Sequence, residues 1–336
     1  MVLAGLLSPE ARDRALLVEE RYPIAITSTI QALIEHSDDP IGRQFVPDPA
    51  ELVTTGQEDP DPVCYDALSP VKGLVHRYPD RVLLKPLLVC PVYCRFCFRR
   101  ERVGPDGGLL TEAELQTAYD WIAARPAIRE VILSGGDPLM LSPRRLAAIL
   151  GALSAIPTID ILRVHSRVPL ADPGRLTDAL AAALETEKAL WLVVHANHSR
   201  EFTPEARLAL RRVQTLGVPV LGQSVLLRGV NDSAEALEAL FRAMLAARVK
   251  PYYLHQLDRA PGTSRFHVPI GEGRRLLSDL RGRMSGLAWP TYVLDVPGGH
   301  GKVPIGPDYW DGDSVRDVTG RRHPLGGSLD PSGAPV

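Results

Sequence analysis

The chain has 336 residues, of which 45% are hydrophobic and 23% are charged, and its formal net charge is −2. These values are typical of a globular protein, and the balanced charge excludes a basic surface for nucleic acid or for an anionic membrane. The N-terminus lacks the basic region and cleavage site of a secretion signal, and no apolar run reaches the ~18–20 residues of a membrane span. Because three of the four cysteines are crowded into residues 90–97, we expect a cytoplasmic protein rather than a disulfide-linked secreted one.

The first 80 residues are rich in proline, with helical patterns at residues 9–21 and 26–36. From Arg81 onward, short apolar runs typical of strands alternate with amphipathic runs typical of helices. The predicted strands are residues 81–89, 130–136, 160–166, 190–196, 218–227 and 250–257. The predicted helices are residues 111–125, 142–156, 174–185, 203–217 and 233–248.

Thr111, Ser142 and Thr203 lie where the N-caps of three predicted helices are expected. Thr111 is followed three residues later by Glu114, which is the spacing of a capping box. At the start of the last predicted helix, either Asp232 or Ser233 is suited to the N-cap position.

Strands that alternate with helices form parallel βαβ units, and nearly continuous apolar strands indicate a sheet that is covered on both faces. Six units are too few for an eight-stranded barrel, so the sequence predicts an α/β fold with a partial (β/α)6 TIM-like barrel in residues 81–286. Residues 1–80 are then an N-terminal helical extension, and residues 287–336 are a C-terminal segment. We expect the tail from about Asp311 to be loose or to pack on a partner. Ligands of such folds bind at the C-terminal ends of the strands.

Cys90, Cys94 and Cys97 form a C-x3-C-x2-C motif after the first predicted barrel strand. A structural zinc site usually has four ligands, and Cys64 is the one remaining candidate for the fourth. A disulfide within so short a loop would leave one cysteine unpaired. Three thiolates on a 4Fe-4S cluster leave one iron free for a small chelating molecule, and S-adenosylmethionine has the amino and carboxylate groups for that purpose.

This motif, with Phe96 before its last cysteine, resembles that of the radical S-adenosylmethionine superfamily. The resemblance implies that one electron from the cluster cleaves S-adenosylmethionine to a 5′-deoxyadenosyl radical. Ser134, Gly135 and Gly136 resemble the glycine-rich strand with which that superfamily contacts the methionine amino group. Taken alone, these residues would be read as a simple glycine turn.

A second motif, LDVPGGHGK, places Lys302 beside three glycines near the C-terminus. Such a turn has little bulk, so it admits a flat cofactor that forms a Schiff base with Lys302; a plain surface loop is the alternative. Pyridoxal phosphate would also need an anion site. Arg77 and Arg81 have the planar guanidinium groups that suit phosphate, although exposed surface arginines would look the same in sequence.

The segments RYPDRVLL, CPVYCRFCFRR, LSGGDPL, QSVLLRGVND, PYYLHQLD and LDVPGGHGK occur in the order and spacing of the lysine 2,3-aminomutase family, and the chain is similar to that family over roughly residues 65–310. The resemblance implies a cytoplasmic isomerase that uses pyridoxal 5′-phosphate to move the α-amino group of L-lysine to C3. It implies that Lys302 carries the pyridoxal and that Arg77 and Arg81 bind its phosphate. His195 and Gln223 are then contacts of S-adenosylmethionine.

For the substrate, the resemblance implies that Arg99 holds the carboxylate and that Asp258 and Asp295 bind the distal ammonium. An arginine can grip a carboxylate with two parallel hydrogen bonds, and two carboxylates offset the desolvation of one buried ammonium. Holding the substrate at both ends directs the radical to one C–H bond. Glutamate is disfavoured because the two aspartates would repel its side chain, whereas arginine stays an alternative substrate.

The chain departs from the family pattern in two ways. Clostridial-type members hold a structural zinc with C-terminal cysteines and a cysteine after Asn-Asp; here Ser233 follows Asp232 and no cysteine follows Cys97, so we expect no structural zinc. The segment PYYLHQLDRAPGTSRF resembles shorter relatives that make β-lysine for elongation factor P. Those relatives lack a counterpart of Asp295, and its presence here favours free L-lysine.

The sequence allows three functions to be ranked. A lysine 2,3-aminomutase is favoured, and the elongation factor P type is the alternative. A non-catalytic cluster-binding regulator is disfavoured because it would need neither Lys302 nor Arg99. The resemblance further implies an electron donor such as flavodoxin or ferredoxin, and the sequence leaves a homo-oligomer open.

Overall fold

A nine-stranded sheet forms the centre of the molecule, for which a computed structural model describes residues 9–312 and 314–324. The strands follow one another in chain order across the sheet, and neighbours from β2 to β8 are parallel. The edge strands β1 and β9 are antiparallel to their neighbours, β2 and β8 respectively. The strands are β1 Leu74–Tyr78, β2 Arg81–Leu87, β3 Glu130–Gly135, β4 Ile161–Ser166, β5 Ala189–His195, β6 Val220–Val225, β7 Lys250–His255, β8 Thr291–Asp295 and β9 Lys302–Pro304.

Helices connect the parallel strands, as in βαβ units. The helices are α1 Pro9–Glu19, α2 Ser28–Leu33, α3 Gly42–Phe45, α4 Glu112–Ala123, α5 Pro143–Ser154, α6 Val168–Ala171, α7 Asp178–Ala182, α8 Pro204–Thr215, α9 Ala234–Ala246 and α10 Ile270–Arg281. None of the described helices is long and apolar enough to cross a bilayer. A second sheet contains β10 Trp310–Asp311, β11 Ser314–Arg316 and β12 Arg322–Pro324.

The predicted partial barrel is confirmed, with all six predicted strands present as β2 to β7. The sequence pattern did not predict β1, β8 and β9. With β8, the parallel part of the sheet has seven strands rather than six. The helix predicted at 174–185 is shorter, because α7 begins only after Thr177. The side chain of Thr177 is the N-cap and accepts a hydrogen bond from the backbone N–H of Leu180. Thr111 and Glu114 form the predicted capping box. The tail predicted from about Asp311 begins within the small second sheet, and residues 325–336 lie outside the described part.

Helix α9 begins after Ser233, whose side chain accepts a hydrogen bond from the backbone of Ala236. Of the two candidates, Ser233 is therefore the N-cap. Asp232 instead accepts hydrogen bonds from Arg228 and from the backbone of Gly229, in the turn before the helix.

Alternation along the strands separates the hydrophobic core from the inside of the barrel. In β4, Leu162 and Val164 are fully buried in the core that the helices cover. Arg163 and His165 point the other way and line a cavity. Successive side chains of a strand point to opposite faces, so each barrel strand contributes both to the core and to the cavity.

Side chains join the two edges of the open sheet. Arg77 on β1 donates from Nη2 to Oδ1 of Asp295 on β8 over 2.8 Å. Tyr78 on β1 accepts a hydrogen bond at its hydroxyl from the backbone N–H of Lys302 on β9 over 2.7 Å. Gly301 has φ of +94°, and a Cβ there would lie 3.2 Å from the Tyr78 hydroxyl. This edge-to-edge contact is called the latch below, and it places three predicted site residues together.

A buried ionic cluster around Glu51 joins the N-terminal extension to the cysteine-containing loop. Glu51 is fully buried, and Arg95 donates from Nε to its Oε2 over 2.9 Å. Arg100 donates to the same oxygen, and Arg265 Nη2 lies 3.4 Å from Oε1. Arg95 and Arg100 stand on either side of Cys97 in the sequence, so one carboxylate of the extension fixes the loop that carries the cysteines.

We expect Glu51→Gln to lower the free energy of unfolding by about 3–5 kcal/mol, because the variant leaves buried guanidinium groups without their counter-charge. The matched control is Glu35→Gln, since Glu35 is 71% exposed and lies 3.3 Å from Arg200. Breaking that exposed pair should change the stability by less than about 1 kcal/mol. Urea denaturation followed by circular dichroism measures both variants. A Glu51→Gln variant as stable as the control would contradict the role of the cluster.

Candidate functional site

A cavity of about 570 Å³ lies inside the barrel and is lined largely by residues from the strands and from the loops at their C-terminal ends. Every residue that the sequence predicts for the site lines it. These residues are Arg77, Arg81, Cys90, Cys94, Cys97, Arg99, Ser134, Gly135, Gly136, His195, Gln223, Asp258, Asp295 and Lys302. The cavity therefore gathers predicted site residues from Arg77 to Lys302, which lie far apart in the sequence.

The three motif cysteines have free thiols that face the same cavity. Burial, as the main cause, raises the pKa of all three thiols, and for Cys90 the charge of Asp137 raises it further. Binding to a metal deprotonates a thiol outright. A cationic metal centre therefore fits the thiols, because it would stabilise the thiolates that burial disfavours.

The end of β3 packs directly against the cysteine-containing loop. A Cβ on Gly136 would lie 2.3 Å from the carbonyl oxygen of Val89, the residue before Cys90. Gly135 has φ of +108°, which favours glycine. The backbone N–H of Asp137 donates to the same Val89 carbonyl over 2.9 Å. The glycines thus bring the backbone of β3 next to the cysteines, where it can contact a bound molecule.

Cys64, the candidate for a fourth thiolate, does not line the cavity. Its Cβ lies instead 3.1 Å from where a Cβ of Gly299 would stand. Among the described residues, no three His, Cys, Asp or Glu side chains are arranged to hold a single metal ion. In a 4Fe-4S cluster each thiolate binds a different iron, so three thiols that line the cavity would leave one iron for another ligand.

Arg99 lies two residues after the last cysteine of the motif. Its Nη2 donates to the Tyr65 hydroxyl over 3.0 Å, and its Nη1 donates to the carbonyl of Gly135 over 3.3 Å and to Ser134 Oγ over 3.4 Å. Its Nε is buried and has no partner among the described residues. The side chain therefore keeps a free donor for a ligand.

Lys302, Asp295 and Arg77 form an ionic chain in the latch. Lys302 Nζ lies 2.5 Å from Asp295 Oδ2, and Arg77 Nη2 lies 2.8 Å from Oδ1. Burial opposes ionisation of Asp295, but the charges of Lys302 and Arg77 outweigh it and hold the pKa of Asp295 below its ordinary value. In the described protein this carboxylate is therefore ionised and shared between two cations.

Asp258, in the loop after β7, has a different environment. Burial is the main cause that raises its pKa to about 7, and the charge of Asp295 raises it further. The positive charges of Lys302, Arg99 and Arg77 offset only part of this effect. The two aspartates thus differ in protonation near neutral pH, and a cation bound between them would favour the ionised form of Asp258.

Three histidines line the cavity from β4, β5 and β7: His165, His195 and His255. Burial is the main cause that lowers all three pKa values, to about 3 for His255 and well below 6.5 for the others. The rings are therefore neutral at pH 7. The Nε2 atoms of His165 and His195 are buried and have no hydrogen-bond partner among the described residues.

These unpaired atoms bear on whether cofactors fit. Buried polar groups in folded proteins are almost always hydrogen-bonded, and Arg77 Nη1 is a further buried atom without a partner in the described part of the chain. Arg81 lies with its guanidinium 3.8 Å from the centre of the Tyr78 ring. Lys302 with these two arginines fits an aldehyde cofactor that carries a phosphate. The thiols with His195 and Gln223, neighbours across β5 and β6, fit a cluster and its chelating ligand.

Sequence reasoning did not assign several residues that shape the site. Tyr65 and Tyr78 hydrogen-bond to Arg99 and to the backbone of Lys302. His165 and His255 line the cavity. The positions at strand ends were the available signal for the histidines. Tyr78 lies in β1, a strand that the sequence pattern did not reveal, and Tyr65 lies in the loop before it.

Comparisons with known proteins agree with this geometry. A family model described as "Radical SAM superfamily" matches residues 84–241, and one described as "Lysine-2,3-aminomutase" matches residues 277–323. L-lysine 2,3-aminomutase of Fusobacterium nucleatum is 40% identical over 305 residues, which cover 90% of this chain and 72% of the relative. L-lysine 2,3-aminomutase of Clostridium subterminale is also 40% identical, with 90% and 73% covered. Glutamate 2,3-aminomutase of Clostridioides difficile is 35% identical, with 90% and 72% covered.

Among solved structures, a radical SAM methyltransferase from Sphaerobacter thermophilus aligns with a TM-score of 0.47 and 21% identity, over 66% of this chain and 68% of that chain. A likeness at this level says nothing about the reaction. The identity to the curated relatives extends over nine tenths of the chain and includes both the barrel and the segment with Lys302. The chain therefore belongs to the lysine 2,3-aminomutase family, within the radical S-adenosylmethionine superfamily.

Proposed function

We propose that this chain is a pyridoxal phosphate-dependent 2,3-aminomutase that converts L-lysine to β-lysine. The observation that carries the proposal is the single cavity of about 570 Å³ that Cys90, Cys94 and Cys97 share with Lys302. Cluster thiols alone would suit many radical reactions. A lysine that lines the same cavity suits the small group of reactions in which an amino group migrates.

When bound, S-adenosylmethionine on the cluster would supply a carbon radical that removes and returns one hydrogen atom, and pyridoxal phosphate would carry the migrating amino group. Cys90, Cys94 and Cys97 would hold the cluster. Lys302 would hold the aldehyde, and Arg77 with Arg81 would hold the phosphate. The barrel would exclude water and oxygen from the radicals.

Asp295 connects the proposed pyridoxal phosphate site with the proposed substrate site. Its carboxylate is occupied by Lys302 and Arg77 in the described protein. If Arg77 bound the cofactor phosphate, Oδ1 of Asp295 would lose the partner that it has in the described protein. That oxygen would then be available for the distal ammonium of the substrate, next to Asp258.

The charges of the cavity favour lysine over glutamate. Two aspartates, Asp258 and Asp295, would attract a distal ammonium and repel a distal carboxylate. Arg99 keeps its Nε free for the substrate carboxylate. Arginine remains a candidate substrate, because its guanidinium would also pair with the two carboxylates.

The test is an anaerobic assay with L-lysine deuterated at C3, S-adenosylmethionine and a reductant, with L-arginine and L-glutamate as parallel substrates. We expect β-lysine as the product and deuterium in the 5′-deoxyadenosyl group, because the same carbon accepts and returns the hydrogen. Mass spectrometry measures both. Faster turnover of arginine or glutamate would refute the substrate, and β-lysine without label in the nucleoside would refute the radical step.

We expect kcat/KM for L-lysine to rise with pH through about 7. The pKa of Asp258 is raised to about 7, so Asp258 is protonated and attracts the ammonium weakly at lower pH, and it is ionised at higher pH. The distal ammonium of lysine stays charged throughout this range. Asp258→Asn should have a lower kcat/KM without this inflection. Measurements of kcat/KM from pH 6 to pH 8.5 compare this variant with Asp279→Asn, a surface control on α10. If the inflection persists in Asp258→Asn, it belongs to another group and the prediction is wrong.

A further inference from the structure

Arg167, just after β4, makes a direct contact with a cysteine of the motif. Its Nη1 donates to Cys94 Sγ over 2.8 Å. The side chain is only 6% exposed, and the site proposed above assigns it no role. Burying a guanidinium beside a sulfur costs free energy unless other groups compensate the charge.

A buried network fixes this guanidinium in place. Its Nη2 donates to Glu201 Oε2 over 2.8 Å and to Gln44 Oε1 over 2.7 Å. Glu201 and Gln44 are both fully buried. The second oxygen of Glu201 accepts hydrogen bonds from the backbone N–H groups of Asn197 and His198 over 2.8 and 2.9 Å. The carboxylate is thus satisfied on both oxygens, and Arg167 is held between it and the sulfur.

The surroundings exclude water from the contact. The guanidinium carbon lies 4.6 Å from the centre of the Phe45 ring and 5.7 Å from that of Phe96. Screening by solvent is weak at such a site. The positive charge of Arg167 and the negative charge of Glu201 therefore act on the nearby sulfur with little attenuation, and with opposite signs.

We propose that Arg167 is a positioning residue that acts through Cys94 to raise the reduction potential of the cluster, while Glu201 lowers it. The proposal rests on the cluster site of the proposed function. On reduction one electron from an external donor enters the cluster, no bond forms or breaks, and the added negative charge spreads onto the sulfurs. A cationic donor on Cys94 stabilises that charge, and hydrogen bonds to the sulfurs are among the determinants of such potentials.

The test is a redox titration of the reconstituted cluster without S-adenosylmethionine, with dithionite and mediator dyes and with detection by electron paramagnetic resonance. For Arg167→Gln we expect the equilibrium constant of one-electron reduction to fall about tenfold, which is a shift of about 59 mV to lower potential. For Glu201→Gln we expect a shift of similar size to higher potential. Opposite signs are the distinguishing result, since a loosened site would move both variants in the same direction.

If one variant misfolds, the direction of the shift in the other variant still tests the proposal. Iron and sulfide content and circular dichroism must match the wild type. The surface control is Arg129→Gln, because Arg129 and Asp160 form an exposed pair at 2.6 Å, and we expect no shift there. An unchanged potential in Arg167→Gln, or shifts of the same sign, would overturn the proposal. If the wild-type chain binds no cluster, the proposed function fails instead.

Discussion

The latch between the two sheet edges is the interaction on which the site depends. The backbone does not close the barrel, since β1 and β9 are the two ends of the described sheet. Arg77 and Tyr78 of one edge instead bind Asp295 and Lys302 of the other. Closure is therefore made by polar side chains that face the cavity, so the groups that complete the barrel are also those that would bind the second cofactor and the substrate.

The opposite wall is held by different means. Close packing at Gly136 brings β3 against the cysteine-containing loop, and Glu51 fixes that loop through Arg95 and Arg100. The paired arginines of CPVYCRFCFRR thus lie in different environments. Arg99 faces the cavity, and Arg100 is buried in the ionic cluster. The extension before the barrel is therefore part of the site's support.

Local pattern predicted most of the barrel, because six strands and their helices have strong periodicity and clear caps. It missed β1, β8 and β9, which have only five, five and three residues and therefore show little periodicity. Motif order predicted which residues line the cavity, although their roles stay predictions. The sequence could not reveal that Asp295 is shared by Lys302 and Arg77, or that Arg167 reaches Cys94, because these contacts join residues that the fold alone brings together.

The central claim is that Lys302 is the covalent site of pyridoxal phosphate in the cavity of the cluster cysteines. It is tested most directly by borohydride reduction of the anaerobically reconstituted protein, followed by mass spectrometry of its peptides. The account predicts one pyridoxyl-modified peptide, containing Lys302, and its loss in Lys302→Arg at unchanged iron content. Modification of another lysine, such as Lys85 on β2, with Lys302 unmodified, would contradict it.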